Sequence, residues 1–102
     1  MYEIYAENAL GQTYYRTDRF EKSINCLNRS TKIANRYGYN FIEANSYIYL
    51  GRIYKSRKKN KKAIKCFSQS LEIFNRLNES RKDLSVSNSI KSIKKELKNL
   101  RI

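Results

Sequence analysis

The chain has 102 residues, a length that suits one domain, and it contains no histidine, proline or tryptophan. Its 22 Lys and Arg side chains against 9 Asp and Glu give a formal net charge of +13, of which residues 1–51 carry +1 and residues 52–102 carry +12. The lack of histidine excludes a catalytic histidine dyad and a Cys/His zinc site, and no apolar run reaches the length that spans a bilayer.

The first half of the chain predicts two helices. Apolar residues follow a helical period over residues 2–16. Asp18 followed by Glu21 predicts a capping box, in which the Asp18 side chain accepts from free N–H groups at the start of a helix that runs from about Arg19 to Tyr37. Gly38 is the predicted C-cap of this second helix, because glycine adopts the left-handed conformation at little cost.

The second half repeats this order and adds one helix. Two helices are predicted at Asn40–Ser56 and Asn60–Leu77, joined by a turn at Arg57–Lys59. A fifth helix is predicted after Ser80, with Asp83 in the capping position. Its apolar residues follow the spacing i, i+4, i+7, i+11, i+14 and are Val86, Ile90, Ile93, Leu97 and Leu100. Because no strand-like alternation remains, the predicted fold class is all-α.

The two halves are copies of each other at a period of 40 residues. Of the 30 residues from 7 to 36, ten are identical to the residue 40 positions later, far more than this composition gives by chance. Gly11 and Gly51 are one such pair, and each lies in the middle of a predicted helix, where glycine costs about 1 kcal/mol relative to alanine. A cost that recurs at equivalent positions predicts a close approach of the partner helix.

The repeated residues resemble the tetratricopeptide repeat (TPR) pattern. The positions that carry the resemblance are Leu10, Gly11, Tyr14, Leu50, Gly51, Tyr54, Ala63 and Phe67. The period of 40 rather than 34 and the absence of proline between repeats are similar to the long-helix variety of Rap-type bacterial regulators and kinesin light chains. The resemblance implies one TPR domain, a right-handed superhelical stack of antiparallel helix pairs, with repeats at 1–38 and 39–79 and a capping helix at 80–102.

The resemblance also implies a binding face. In a TPR solenoid the first helix of each pair lines the concave face, and there asparagine amides can pair with a peptide backbone while Arg and Lys pair with acidic groups. The implied ligand-facing residues are Asn8, Gln12, Tyr15, Arg16, Asn45, Ile48, Arg52, Lys55, Asn88 and Lys95, together with Tyr5, Ser56 and Ser92. The carboxylate clamp of Hsp90/Hsp70 cochaperones is not reproduced, since Asn8 and Gln12 replace its leading Lys and Asn.

The residue types that catalyse reactions in enzymes form no catalytic arrangement in this sequence, which therefore predicts no enzyme. The carboxylates form no acid/base pair, the serines lack a base, and no phosphate-binding glycine loop is present, so neither cofactor nor metal is expected. Cys26 and Cys66 lie at equivalent repeat positions, which are expected about 10 Å apart, too far for a disulfide. Two free buried thiols predict a reducing, cytoplasmic setting.

The sequence therefore predicts a protein- or peptide-binding module that acts as a scaffold or sensor and binds an acidic or extended peptide. A place within a larger regulator is left open. Exposed solenoid ends favour self-association. Seven basic residues within 55–65 keep an alternative open, a basic adaptor that binds nucleic acid, although no aromatic side chains interleave the run. Part of the lysine excess is also typical of an AT-rich genome. A membrane partner is not predicted, because the apolar stripe of the fifth helix is needed to cover the second repeat.

Overall fold

A computed structural model describes residues 2–81 and 84–100, with side chains described at 6–78 and 86–100. These residues form five helices and no strand. The helices are α1 (Tyr2–Arg16), α2 (Phe20–Tyr37), α3 (Asn40–Ser56), α4 (Asn60–Arg81) and α5 (Leu84–Leu100). The all-α prediction is confirmed, and α4 extends four residues beyond the predicted end at Leu77. The predicted capping residue Asp83 lies outside the described residues.

The predicted capping box at Asp18 is wrong. Arg19 is the N-cap of α2 and no side chain caps it, while Asp18 has the left-handed φ of 60°. The Arg19 N–H donates to the Tyr14 carbonyl (2.8 Å) and the Asp18 N–H donates to the Tyr15 carbonyl (3.2 Å), the pattern of a Schellman motif. Asp18 therefore closes α1 instead of opening α2, and Lys58 closes α3 in the same way with φ of 61°.

Short connections make the helices antiparallel neighbours, so that α1 pairs with α2 and α3 pairs with α4. Gly38 ends α2 with φ of 76°, which confirms the predicted C-cap. Helix α3 packs on both α1 and α2, and α5 packs on α4. The structure is thus a stack of helix pairs followed by a single helix, and the right-handed sense of the stack stays a prediction.

Helix α5 uses the same positions to pack on the second repeat as α3 uses to pack on the first. The α5 residues Val86, Ile90 and Ile93 are buried, as are their equivalents 40 residues earlier, Ser46, Leu50 and Ile53. Leu97 is buried and Leu100 is partly buried, so the predicted apolar stripe of the fifth helix is confirmed.

The two repeated glycines lie where helices approach closely, as predicted. A Cβ added at Gly11 would lie 2.7 Å from Cγ and Cδ2 of Leu27, and one added at Gly51 would lie 2.9 Å from the Phe67 ring. Leu27 and Phe67 are both completely buried. The Ser23 hydroxyl also donates to the Gly11 carbonyl at 2.6 Å, which ties α2 to α1 at the same point.

Leu10 is exposed, although its repeat equivalent Leu50 is buried. Leu50, the equivalent residue, is 2% exposed in a cluster with Leu27, whereas Leu10 is 44% exposed. The reason is that this position packs against the preceding repeat. Leu50 has the first repeat to pack on, and no helix of the described chain precedes α1 to cover Leu10.

Candidate functional site

A groove of about 190 Å³ lies between α3 and α5. Its lining residues are Asn45, Ile48, Tyr49, Arg52, Phe67, Ser89, Ser92, Ile93 and Glu96. Phe67 and Ile93 are almost completely buried, so the partly exposed Ile48 and Tyr49 supply most of its apolar surface, while the amide of Asn45 and the hydroxyls of Ser89 and Ser92 lie around it. The accessible surface of the groove is mainly polar, with a smaller apolar part.

Three of the predicted α3 residues line this groove, namely Asn45, Ile48 and Arg52. The Arg52 guanidinium lies 5.4 Å from the centre of the Tyr49 ring, over its face. Within the described part of the chain, Arg52 has no ion-pair partner. The groove therefore holds a positioned cation whose charge is available to a ligand.

Lys55, the fourth α3 residue predicted to face the ligand, is already paired. Its Nζ lies 2.8 Å from Oε2 of Glu96, so the pair bridges α3 and α5 at one end of the groove. Both side chains are partly exposed, and such a pair contributes roughly 0–1 kcal/mol to stability. Glu96 thus brings a negative charge into a groove for which the sequence predicts only neutral and basic side chains.

Three of the predicted α1 residues, Asn8, Gln12 and Tyr15, take part in contacts between the first and second repeats. The Asn8 amide donates to the Ser46 hydroxyl (2.8 Å) and accepts from Gln12 (2.7 Å), and the Ser30 and Ser46 hydroxyls are 3.0 Å apart. Tyr15 packs edge-to-face on Tyr49, with ring centroids 5.3 Å apart. These side chains bridge the two repeats, whereas the groove lies next to α5.

The remaining predicted residues are exposed outside the groove. Arg16, Asn88 and Lys95 do not line it, and their contact with a ligand stays a prediction. Of the α5 residues, Ser92 is placed as predicted. Tyr5 has no described side chain.

The α5 wall of the groove is the part that the sequence interpretation missed. The groove is lined from α3 by residues 45, 48, 49 and 52 and from α5 by residues 89, 92, 93 and 96. Transferring the predicted α3 positions 48, 52 and 55 to α5 at the period of 40 gives Asn88, Ser92 and Lys95. Ser92 lines the groove, whereas the lining residues Ser89 and Glu96 each lie one residue after a predicted position.

The two cysteines are buried and free, as predicted. Burial raises the pKa of the Cys66 thiol to about 11. Burial, followed by the nearby Glu7 carboxylate, also raises the pKa of Cys26. Both thiols are protonated at neutral pH and therefore make poor nucleophiles. No group of three or more potential metal ligands occurs among the described residues, and none of the described helices is both long and apolar enough to cross a membrane.

The chain is built of antiparallel helix pairs that repeat every 40 residues and meet at small residues. A groove lies between two successive first helices, α3 and α5. These features define a helical-repeat protein. The family model for the tetratricopeptide repeat matches residues 2–76, which include most of both repeats. The chain belongs to the tetratricopeptide repeat family, and the resemblance seen in the sequence is confirmed; its likeness to the long-period variety stays a prediction. No curated protein and no solved structure shows significant similarity to the chain. The family is a protein-interaction fold that is typically non-catalytic.

Proposed function

We propose that the chain binds an extended peptide segment of a partner protein in the groove between α3 and α5, and so acts as a scaffold or sensor module. One observation carries the proposal: this groove is open and lined by partly exposed apolar and polar side chains, whereas side chains of α1 and α3 contact each other. An extended peptide offers the alternating side chains and backbone amides that such a surface can recognise.

The size of the groove favours a single anchoring side chain. At about 190 Å³ it is smaller than the roughly 300–1,000 Å³ of small-molecule sites. One apolar side chain of the peptide would pack against Ile48 and Tyr49, the partly exposed apolar residues of the lining. The Asn45 amide and the Ser89 and Ser92 hydroxyls would then pair with the backbone on either side of it.

The charges in the groove favour a peptide with an acidic residue beside the anchor. Arg52 can form a two-pronged hydrogen bond with a carboxylate, and its position over the Tyr49 ring limits the freedom that it would lose on binding. Lys55 has to break its ion pair with Glu96 before it can bind an acidic residue of the peptide. Arg52 is therefore the main determinant of acid preference, and Glu96 opposes it.

The setting of this module is part of the proposal. Two free thiols suit a reducing compartment, which supports a cytoplasmic location. The exposed Leu10 at the α1 end of the stack supports self-association. A place within a larger peptide-responsive regulator agrees with a small module that has a binding groove.

The proposal is tested with pooled fluorescein-labelled peptides that carry a fixed central Asp or Glu, against pools with Lys at that position. Fluorescence anisotropy should show tighter binding of the acidic pools. Ser92→Tyr should abolish binding by filling the groove, whereas Asn25→Tyr, on the exposed face of α2, should leave it unchanged. Arg52→Gln should reduce the preference for acidic pools. Binding that survives Ser92→Tyr would place the site elsewhere.

A further inference from the structure

The helix order brings three distant segments of the chain to one edge of the stack. Because neighbouring helices are antiparallel, α1, α3 and α5 end at the edge where α2 and α4 begin. Two ion pairs join these segments. Arg57 in the second turn lies 2.6 Å from Glu21 in α2, and Lys55 lies 2.8 Å from Glu96 in α5. We define residues 16–22, 55–65 and 94–98 as the basic edge.

Most of the net charge of the protein lies at the basic edge. Its three segments hold thirteen basic and three acidic residues, a net charge of +10 out of the total of +13. At the opposite edge, residues 32–43 and 72–76 hold three basic and two acidic residues, a net charge of +1. In the sequence, the excess positive charge lies in the second half of the chain. In the folded structure, it lies along one edge of the stack.

Little of this charge is compensated within the fold. Two of the three acidic side chains, Glu21 and Glu96, are paired with Arg57 and Lys55. Nine lysines of the basic edge are exposed and form none of the ion pairs found among the described residues, and two of them, Lys22 and Lys62, lie over tyrosine rings. These lysines are Lys22, Lys58, Lys59, Lys61, Lys62, Lys65, Lys94, Lys95 and Lys98.

The edge also lacks the apolar side chains that other anionic partners need. The exposed large hydrophobic side chains of the described chain are Leu10, Tyr37 and Phe41. Leu10 lies in the middle of α1, and the other two lie at the opposite edge. Protein partners usually need a buried aromatic or aliphatic anchor, and a membrane-surface helix needs an apolar face to insert. The basic edge offers mainly charge, spread over three helix layers about 10 Å apart, and the Arg57 guanidinium lies over the half-buried ring of Phe20 at this edge.

We propose that the basic edge binds the phosphate backbone of a nucleic acid without reading its bases. Lysine ammonium groups act as point charges for phosphate, and flexible stems let them follow a regular row of charges. Three layers span roughly 20 Å, along which one strand of a duplex carries about six phosphates. DNA and RNA share this chemistry, and the experiment separates them. The site is distinct from the α3–α5 groove, so nucleic-acid binding and peptide binding can be refuted independently of each other.

The test measures the anisotropy of a fluorescein-labelled mixed-sequence DNA duplex and a single-stranded RNA, each of about 20 nucleotides, between about 50 and 200 mM salt. We expect log affinity to fall linearly with log salt and to be the same for scrambled sequences. Lys61→Gln with Lys65→Gln should weaken binding about tenfold or more and reduce the slope by roughly two. The matched control, Lys32→Gln with Arg36→Gln, has the same i, i+4 spacing on α2 at the opposite edge and should leave both quantities unchanged.

Several outcomes would overturn the proposal. No binding at about 50 mM salt, or an equal loss in the Lys32/Arg36 control, would show that the basic edge is not a nucleic-acid site. Equal competition by polyglutamate would assign the edge to acidic polypeptides, and tighter binding of phosphatidylserine vesicles would assign it to membranes. Circular dichroism checks that both double variants remain helical, and Ser92→Tyr should keep nucleic-acid binding even where peptide binding is lost.

Discussion

A methyl group at position 51 tests why glycine recurs at this point of each repeat. Alanine there would place its Cβ 2.9 Å from Cε1 and Cζ of the Phe67 ring, against an optimal carbon–carbon separation of about 3.5–4.0 Å. Phe67 is completely buried, so the ring has no space into which it can retreat. Helices α3 and α4 would have to separate to make room for the methyl group.

Two opposing effects set the magnitude of the change. Overpacking a well-filled core costs about 1–3 kcal/mol. Alanine in place of glycine inside a helix gains about 1 kcal/mol in helix propensity. We therefore expect Gly51→Ala to lower the free energy of unfolding by about 1 kcal/mol, and Gly51→Leu to lower it by several kcal/mol.

The same substitution should change sign when the ring is removed. Phe67→Ala lacks the whole ring, and with it Cε1, Cζ and Cδ1, the three atoms nearest to the added methyl group. In that background the steric cost is largely absent and the gain in helix propensity remains, so Gly51→Ala should stabilise the variant by up to about 1 kcal/mol. The difference between the two backgrounds is the coupling energy of a double-mutant cycle.

The cycle is measured by urea unfolding of the four proteins, followed by circular dichroism at the helical minimum, with the midpoint and slope fitted separately. A stabilisation by Gly51→Ala of equal size in both backgrounds would refute the reasoning. It would mean that the methyl group meets no resistance and that the glycine is not there to allow close approach of α3 and α4.

Three further predictions use the same measurement. Leu50→Ala should lower the free energy of unfolding by about 2–5 kcal/mol because it leaves a cavity at a buried site. Leu10→Ala, at the equivalent but exposed position, should lower it by less than about 1 kcal/mol. Equal losses would contradict the difference in burial. Ser23→Ala removes the hydroxyl that donates to the Gly11 carbonyl and should cost about 1 kcal/mol; no loss would mean that this hydrogen bond adds nothing. Burial raises the pKa of the Cys66 thiol from 9.0 to about 11, so above pH 9 the unfolded chain releases a proton that the folded chain keeps. Cys66 should therefore lower the free energy of unfolding between pH 9 and 11 by at most about 3 kcal/mol, and the total fall over this range should be smaller in Cys66→Ala.

The helices and the repeat follow from local information in the sequence. The bounds of α1 and α3 agree with their predicted ranges because the spacing of apolar residues acts within a few residues, and Gly38 marks the break before α3. The close approach at Gly51 was predictable for a related reason, since a costly residue at two equivalent positions indicates a shared packing requirement.

Local signals fail where two of them compete for the same residue. Asp18 suits an N-cap of α2 by its side chain, but the structure uses its backbone in the left-handed conformation to close α1. Lys58, which has no capping side chain, takes the same conformation in the second turn. The connection between antiparallel helices sets this geometry, and the side chain at that position does not decide it.

Only the tertiary structure decides which repeat positions are buried, open or brought together. Leu10 and Leu50 are equivalent in sequence, yet only Leu50 has a repeat to pack against. Tyr15 and Tyr49 contact each other between the two repeats, while a groove lies between α3 and α5. Burial and charge density depend on which segments become neighbours in space. The composition of the chain determines a net charge of +13, and the alternation of helix direction places most of that charge along a single edge.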